Sequence, residues 1–417
     1  MKHNCLLSGN PGSGKTFLIK QFIEWAQTYG YKVGITATTG CSAYLINGQT
    51  INSWAGVGLC DKPVDYLVAN VVKYKKAKTW MTTDILIIDE ISMMSKDMFE
   101  KLNSVGKIIR KNDKTFGGIH LICVGDFSQL SPVNGEFIFK SELFEHTFDY
   151  GIFLDKIYRQ KDDDFLKLLN EIRLNKLSTN SVSLLSKIKQ KQINKSDSIQ
   201  PTILLPLNKQ VEIINNNKLN EINEKEYIFK YRKMSCKMSN KNSMPPEVDK
   251  LIEKFTNVNP ILKLKKNTQV MLLKNIHTDI GLVNGSVGII RNINCDNVIV
   301  EFINGLTIGV SFEQFKIEND EFELTFEMIP LTVAYAISIH KSQGTSIDCC
   351  QIDIGKTIFQ PQQAYVALSR ITNPHIDEKE HNKGLYIIDF DVSSFKVYKD
   401  TLEFYDRFNE INKIDIN

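Results

Sequence analysis

The sequence lacks the features that mark a membrane-embedded, secreted or disulfide-stabilised protein. It contains no stretch of about 18 uncharged apolar residues, so a membrane-spanning helix is not expected. The first residues lack the apolar run and the cleavage site of a signal peptide. The eight cysteines form no C-x-x-C pair, which argues against a zinc site and favours reduced thiols in an intracellular protein.

An excess of charge of one sign is also missing. The chain has 51 Lys and Arg residues against 48 Asp and Glu residues, which leaves a net charge of only +3. Bulk charge therefore does not indicate a nucleic-acid-binding protein, and any such surface must be a local channel or stripe. A hydrophobic content of 42% and a charged content of 24% are those of a globular protein.

A phosphate-binding loop stands near the start of the chain. The run "GNPGSGKT" follows a short apolar strand and precedes apolar residues at helical spacing over residues 17–29. The G-x-x-x-x-G-K-[ST] pattern needs this context, because backbone N–H groups and a helix N-terminus must face the phosphates. The lysine would reach the β- and γ-phosphates, and the threonine would hold magnesium. The predicted phosphate-contacting residues are Gly12, Ser13, Gly14, Lys15 and Thr16.

A pair of acidic residues follows a second predicted strand. Residues 85–88, "ILII", are continuously apolar, as expected of a strand that is covered on both faces of a parallel sheet. Asp89 and Glu90 stand at its carboxyl end, where ligands bind in such sheets. We predict that Asp89 holds magnesium through water and that Glu90 activates the attacking water. The pair favours nucleotide hydrolysis, and hence a motor or a switch, over a kinase.

Three further segments carry polar residues that could face the same nucleotide. Gln129 follows a third predicted strand, where its amide could sense the γ-phosphate or simply close a polar loop. The run "SIHKSQGTS" crowds together hydrogen-bonding groups that cannot all be buried without partners, unless it is a solvated turn. Arg370 ends a short predicted helix, where arginine commonly satisfies carbonyl groups. It would be catalytic only if it pointed into a cleft opposite the phosphate loop.

The α/β pattern occurs twice along the chain, and 417 residues are too many for one ordinary core. We predict a first α/β domain over residues 1–175, with a small insertion at about 57–82. The second begins at 176–230 and resumes at 329–417, where it ends in a C-terminal helix. Between these parts, residues 231–328 are predicted to hold a flexible Lys- and Asn-rich segment and a small β-rich insertion.

Several of these runs occur in the order found in superfamily 1B helicases. The sequence most resembles the PIF-type DNA helicases, with the RecD and phage Dda enzymes as more distant relatives. The resemblance extends from Cys5 to about Asp391 and implies two RecA-like P-loop NTPase domains, with an SH3-like β insertion in the second. ATP and Mg²⁺ would bind between the domains. The matching runs are "GNPGSGKT", "ITATTGCSAYLINGQTINSWAGVG", "LIIDEIS", "GIHLICVGDFSQLSPV", "YRQ", "LVNGSVGII", "SIHKSQGTSID" and "AYVALSR".

The resemblance also implies roles for individual residues. Gln129 would be the γ-phosphate sensor, Gly344 would belong to the nucleotide-binding set, and Arg159 and Arg370 would reach in from the far side as arginine fingers. Trp54 could stack on a base or could equally be a core residue. The implied DNA-binding residues are Thr36, Thr38, Thr39, His340 and Lys341.

A basic run lies near the strand-splitting element that the resemblance implies. "VVKYKKAKTW" could belong to that element or could be a solvated helix face. Its lysines are Lys73, Lys75, Lys76 and Lys78.

The function implied by the resemblance is that of a DNA helicase that steps 5′ to 3′ on single-stranded or forked DNA and couples ATP hydrolysis to unwinding. We expect a monomer that works without a membrane, with replication or repair proteins as possible partners. RNA stays open as a substrate because no 2′-OH reader is visible. Two alternatives also stay open: a DNA translocase or remodeller that does not unwind, and a truncated, non-catalytic DNA-binding remnant.

The resemblance raises one question about nucleotide choice. Family members have an N-terminal segment with a glutamine that reads adenine, and no such glutamine precedes Gly9 in this sequence. We therefore expect ATP, GTP and CTP to support hydrolysis with similar efficiency.

Overall fold

The described chain consists of two parallel sheets and a group of antiparallel sheets, each with its own hydrophobic core. Within the part of the chain that is described, no helix is long and apolar enough to cross a bilayer. The computed structural model describes residues 3–133, 135–238, 247–256, 258–277, 280–318, 322–355, 357–376 and 382–411.

The first parallel sheet, called sheet 1 below, has six strands in the described chain. Its central strand Ile85–Asp89 is buried at every position. Ile85 and Ile87 pack towards the helix Lys15–Thr28, whereas Leu86 packs into the core on the opposite face. Helices on both faces therefore account for the continuous apolar run. In spatial order the strands are Gln49–Thr50, Val33–Ala37, Ile85–Asp89, His120–Gly125, Cys5–Gly9 and Tyr150–Leu154.

The main helix on the second face of sheet 1 is Lys96–Arg110. It begins because the Ser95 hydroxyl accepts a hydrogen bond from the amide of Met98, and it ends where Lys111 adopts a left-handed conformation. Shorter helices around this sheet are Gly40–Leu45, Ile51–Ala55, Val64–Lys73, Ala77–Thr82 and Glu142–Glu145, with 3₁₀ turns at Ile91–Met93, Thr115–Gly118 and Ile138–Lys140.

The predicted insertion at about 57–82 contains the helices Val64–Lys73 and Ala77–Thr82. Trp54 lies directly beneath it, only 2% exposed, with its ring centroid 4.7 Å from that of Trp80. The base-stacking role considered for Trp54 is therefore wrong, and the core alternative is confirmed. Whether the exposed lysines of this region help to split strands stays a prediction.

The second parallel sheet, called sheet 2, has four strands in the described chain and no phosphate loop. Its strands in spatial order are Ala336–Ser338, Thr202–Leu205, Cys349–Ile354 and Gly384–Phe390. The helices that accompany it are Asp163–Arg173, Thr179–Lys189, Asn208–Glu221 and Gln363–Leu368, with a 3₁₀ turn at Val392–Ser394.

Two helices pack against a different sheet from the one that we predicted. The C-terminal helix Lys399–Ile411, which we assigned to the second domain, places Tyr405 in the core of sheet 1. Conversely, Asp163–Arg173 lies within the predicted first domain but places Phe165 in the core of sheet 2. An amphipathic pattern shows that a helix has an apolar face, but it does not show which sheet receives that face.

The antiparallel strands form what we call the β module, which shares one core. Its hairpin at Asn304-Gly305 connects Asn297–Phe302 to Thr307–Ser311. The five-stranded sheet has the order Thr307–Ser311, Asn297–Phe302, Val287–Ile293, Gln269–Leu272 and Leu331–Val333. The three-stranded sheet has the order Glu313–Glu318, Phe322–Met328 and Arg232–Met238, and the pair is Ile261–Leu264 with Tyr227–Lys230.

The Lys- and Asn-rich segment that we predicted to be flexible forms regular structure in its described part. Arg232–Met238 pairs antiparallel with Phe322–Met328, and the helix Val248–Thr256 places Ile252 in the core of the β module. Residues 239–246 of this prediction lie outside the described residues. The polar composition was misleading because the partner strand lies far along the chain.

Candidate active site

The phosphate loop has the strand–loop–helix geometry that the sequence predicts. It links Cys5–Gly9 to Lys15–Thr28, and Gly12 and Gly14 have φ values of 79° and 89°, which favour glycine. The Lys15 ammonium group donates to the carbonyl oxygens of Gly9 (2.6 Å) and Asn10 (3.0 Å). Burial lowers the pKa of Lys15 from its ordinary value. The lysine side chain therefore folds back over its own loop, beside the carbonyl groups of Gly9 and Asn10.

The two acidic residues lie at the end of the central strand of sheet 1. The amide of Glu90 donates to Asp89 Oδ1 at 2.8 Å, and Glu90 itself is left-handed, with φ of 53°. Burial, and secondarily the charge of Glu90, raise the pKa of Asp89 to about 7. Burial also raises the pKa of Glu90, against the opposing effects of Lys15 and Arg370. A buried and a half-buried carboxylate side by side form a site that attracts cations.

Arg370 reaches from sheet 2 to a residue of sheet 1. It follows the helix Gln363–Leu368 and is 2% exposed. Its Nη2 atom donates to Gln129 Oε1 at 3.2 Å, and its Nε atom donates to the Val366 carbonyl at 3.1 Å. The arginine therefore satisfies a carbonyl of its own helix and also contacts the predicted phosphate sensor.

Arg159 lies on the side of the phosphate loop, so the prediction that it reaches in from the far side is wrong. The neighbouring Tyr158 amide donates to the Gly12 carbonyl at 2.8 Å, and a Cβ atom at Gly12 would lie 2.5 Å from that of Arg159. Arg159 Nη1 then extends to the Ser369 carbonyl at 2.9 Å. Burial, and secondarily Arg370, lower the pKa of Arg159 to about 9.

Gln160 holds the backbone on both sides of Arg370, a role that sequence reasoning missed. Its amide donates to the carbonyls of Ser369 (3.1 Å) and Ile371 (2.6 Å). The run "YRQ" therefore joins the phosphate loop to the arginine segment of sheet 2.

A cavity of about 530 Å³ brings the predicted nucleotide residues together. Ser13 is buried beneath it and does not line it. Sequence reasoning missed Tyr158, which is 63% exposed at its rim. The predicted residues that line it are Gly12, Gly14, Lys15, Thr16, Asp89, Glu90, Gln129, Arg159, Gly344 and Arg370.

A buried polar cluster supports this site from below. The Tyr405 hydroxyl of the C-terminal helix lies 2.9 Å from Ser8 Oγ and donates to Asp126 Oδ1 at 2.9 Å. It also accepts a hydrogen bond from the amide of Phe127 at 2.9 Å. Ser8 immediately precedes the phosphate loop and Phe127 lies two residues before Gln129. The hydroxyl therefore joins the strand that precedes the phosphate loop to the segment that carries Gln129.

The predicted DNA-binding threonines differ in their surroundings. Thr36 is fully buried and its hydroxyl donates to the Ile87 carbonyl at 2.6 Å, so its predicted DNA contact is wrong. Thr38 is half-buried and donates to the Glu90 carbonyl at 2.9 Å. Thr39 caps the helix Gly40–Leu45. Thr36 lies within the strand Val33–Ala37 of a sheet that is covered on both faces, so its side chain has no access to solvent.

His340 and Lys341 lie at the turn that follows the strand Ala336–Ser338. His340 is exposed, and Lys341 lines a second cavity of about 360 Å³. Tyr44, from the helix capped by Thr39, lines the same cavity, together with Asn215 of sheet 2 and Lys263 of the β module. All three parts of the molecule therefore contribute to this channel-like space.

Gln343 connects the two cavities, which sequence reasoning also missed. It lines the second cavity, and its Nε2 atom donates at 3.0 Å to Glu90 Oε2, whose residue lines the nucleotide cavity. The only signal in the sequence was the density of polar groups in "SIHKSQGTS".

Two family models match the chain: PIF1-like helicase over residues 2–197 and DNA helicase Pif1, 2B domain, over residues 252–293. The chain is 32% identical over 407 residues to the ATP-dependent DNA helicase PIF1 of Homo sapiens, which covers 95% of this chain and 60% of that relative. It is 30% identical to protein 030L of Invertebrate iridescent virus 6, over 97% of this chain and 91% of the viral one. The chain thus spans about 60% of the length of the human PIF1 relative.

Solved structures of Pif1 helicases are also similar to this chain. Pif1 helicase from Candida albicans matches with a TM-score of 0.76 and 29% identity, over 97% of this chain and 96% of that chain. Bacteroides sp Pif1 in complex with ADP-AlF4 matches with a TM-score of 0.78 and 27% identity, over 98% and 94%. The predicted fold class, α/β with two RecA-like domains, is confirmed, and the chain belongs to the PIF1-like helicase family.

Proposed function

We propose that this protein is an ATP-dependent DNA helicase that moves along single-stranded DNA, 5′ to 3′, and couples ATP hydrolysis to unwinding. The observation that carries the proposal is the single cavity lined by Lys15 and Glu90 from sheet 1 and by Gly344 and Arg370 from sheet 2. A nucleotide bound there contacts both sheets. Its binding, hydrolysis and release would therefore change their spacing, which is what a stepping motor needs.

The residues of this site fit a nucleoside triphosphate with Mg²⁺. The Thr16 hydroxyl and the Asp89 carboxylate are oxygen donors, the type that Mg²⁺ prefers. A divalent cation would also offset the burial that raises the pKa of Asp89 to about 7. When bound, the ion supplies charge neutralisation at the β- and γ-phosphate oxygens. A Bacteroides sp Pif1 similar to this chain is described in complex with ADP-AlF4, which also supports nucleotide binding.

Hydrolysis would divide the work among four side chains. Glu90 accepts the proton of the attacking water, as a general base at the strand end. Gln129 contacts the γ-phosphate, and Arg159 and Arg370 neutralise the charge that develops in the transition state. The hydrogen bond between Arg370 and Gln129 supports this division, because it shows that the two side chains can reach the same point from opposite sheets.

DNA would lie along the second cavity and be held mainly through its phosphates. Lys341 and Lys263 place positive charge in its lining, beside the carboxylates of Glu212 and Glu253. His340 is exposed at the adjoining turn. Thr38 and Thr39 would contribute through the backbone around the helix Gly40–Leu45, since both hydroxyls already serve the protein. Bacteroides Pif1, similar to this chain, is described as bound to ssDNA, which supports DNA binding.

The test is strand displacement measured beside ATP hydrolysis. Partial DNA duplexes with a single 5′ tail, a single 3′ tail or a 5′ RNA tail are incubated with the protein. Glu90→Gln is the matched inactive control. We expect ATPase stimulated by single-stranded DNA and displacement that requires the 5′ tail. Stimulated ATPase without displacement would favour a translocase. The absence of both activities would overturn the proposal.

A further inference from the structure

The catalytic glutamate is held by two segments that face the proposed DNA channel. Its side chain accepts a hydrogen bond from Gln343 at 3.0 Å, and its carbonyl accepts one from the Thr38 hydroxyl at 2.9 Å. Gln343 lies two residues after Lys341, and Thr38 adjoins the residue that caps the helix Gly40–Leu45. Leu45 and Asn284 also line both cavities, but these two hydrogen bonds reach the glutamate itself.

The backbone of Glu90 is held in place, so its side chain is the part of this residue that can move. The residue is left-handed, and its amide is already bonded to Asp89 Oδ1. The position of the carboxylate is therefore set by its side-chain torsions and by Gln343. An oxygen that accepts the Gln343 amide cannot at the same time present that lone pair to water.

Gln343 itself sits on a turn of closely spaced hydrogen bonds. The amide of Ser342 donates to the Ser338 carbonyl at 3.0 Å. The amide of Gln343 donates to the His340 carbonyl at 3.2 Å. The Thr345 hydroxyl donates to the Ser342 carbonyl at 2.6 Å. Because the turn is internally bonded, a phosphate that displaces Lys341 would displace Gln343 with it.

We propose that Gln343 is a positioning residue that restrains Glu90 while the DNA channel is empty, and that DNA in the channel releases it. The inference rests on the proposed function and names how that function is regulated. Gln343 contacts the Glu90 carboxylate and does not line the nucleotide cavity, so we expect its effect on the rate without DNA. DNA stimulation of hydrolysis is then the removal of a restraint.

The decisive variant is Gln343→Leu, which removes the amide donor at nearly constant volume. We expect its ATPase rate without DNA to rise about tenfold, the change that corresponds to one hydrogen bond of about 1.4 kcal/mol. The rate with saturating single-stranded DNA should stay within about twofold, so the stimulation ratio should fall. Gln192→Leu, the same change at an exposed glutamine outside both cavities, should match the wild type.

Two more variants make the result specific. Glu90→Gln combined with Gln343→Leu should abolish the raised rate, because the effect acts through the glutamate. Gln343→Met serves the same purpose as Gln343→Leu if the latter does not fold. A folded variant whose DNA-free rate is unchanged or lower would overturn the inference, since Gln343 would then be neutral or would assist Glu90. Wild-type ATPase that DNA does not stimulate would instead contradict the proposed function.

Discussion

The two parallel sheets both end at the nucleotide cavity, yet they supply it in different ways. Sheet 1 provides Lys15, Asp89 and Glu90 from a loop and a strand end, so each is placed by its immediate neighbours. Sheet 2 provides Arg370 to the cavity and Gln343 to Glu90 at its edge, through contacts that span more than 240 residues of sequence. The groups of sheet 1 are placed locally, whereas those of sheet 2 can act only where the two sheets meet.

The largest effect should come from the contact that joins the sheets. Arg370→Ala should lower kcat for DNA-stimulated hydrolysis by roughly 10³-fold or more, as expected for an arginine finger. The KM for ATP should change far less, because the phosphate loop is untouched. Steady-state ATPase at saturating single-stranded DNA measures both, with Arg370→Lys as the control that keeps the charge. If kcat stayed within tenfold of the wild type, Arg370 would be only a helix cap.

Removing the base from sheet 1 should have a comparable but smaller effect. Glu90→Gln should lower kcat by about 10²–10⁴-fold, the usual contribution of a general base. Binding of ATP and DNA should persist, because neither the phosphate loop nor the channel changes. Equilibrium binding of a fluorescent nucleotide provides the check. Turnover within about tenfold of the wild type would remove Glu90 from this role.

The support that sheet 1 receives from the end of the chain can be tested by stability. Tyr405→Phe removes a hydroxyl that contacts Ser8, Asp126 and the amide of Phe127. Asp126 Oδ1 keeps the amide of Ser128, but the Ser8 hydroxyl and the Phe127 amide lose their partner. This loss should lower the free energy of unfolding by about 1–3 kcal/mol. Urea unfolding measures the loss. Tyr398→Phe removes a single part-buried contact at 3.2 Å, so it should lower the free energy of unfolding by less. An equal loss would show that the three contacts of the Tyr405 hydroxyl contribute no more than this single contact.

On the DNA side, one phosphate contact should carry a modest, salt-dependent effect. Lys341→Ala should weaken binding similarly for all sequences and make the log–log salt slope shallower by roughly 0.7–1 unit. Binding of single-stranded DNA is titrated over a series of salt concentrations. Lys195→Ala, at an exposed lysine outside both cavities, is the control. An unchanged slope would mean that Lys341 touches no phosphate.

The smallest difference is expected between nucleotides. ATP, GTP and CTP should give kcat/KM values within about tenfold, or 1.4 kcal/mol. Tyr158, exposed at the cavity rim, offers a flat ring that any base can stack on. Hydrolysis of each nucleotide is compared at saturating DNA. A preference for ATP above roughly a hundredfold would show that some group reads the base.

The sequence predicted the residues whose positions follow from their own loop or strand. Lys15 and Glu90 belong to this class, because a phosphate loop and a buried parallel strand can each be recognised from consecutive residues. Thr36 was mispredicted because its run of threonines does not show which hydroxyl faces inward. Arg159 was placed on the wrong side because its segment lies between the sheets and contacts both.

Most contacts between distant parts of the chain could not be predicted from the runs themselves, although the resemblance did imply that Gln129 and Arg370 face one nucleotide. The hydrogen bond of Gln343 to Glu90 spans 253 residues, and neither "SIHKSQGTS" nor "LIIDEIS" contains a pattern that indicates contact with the other. The same holds for the C-terminal helix, since its apolar stripe fits either sheet in principle. For the same reason we did not predict the strand Arg232–Met238 of the β module, because a polar strand is recognisable only beside its partner strand.

The packing of the last helix on sheet 1 has a consequence for how the molecule is made. Ser8 and Tyr405 are 397 residues apart, so the ribosome finishes the core of the first sheet last. From Leu154, where the last strand of this sheet ends, the chain runs 251 residues to Tyr405, so at about 5–20 residues per second the sheet waits roughly 13–50 s for that helix. The helix Lys96–Arg110 can pack on this face during that interval, but the part of the core that Phe404, Tyr405 and Phe408 cover stays exposed. A sheet whose strands are made before those of sheet 2 is therefore completed by a helix that is made after them.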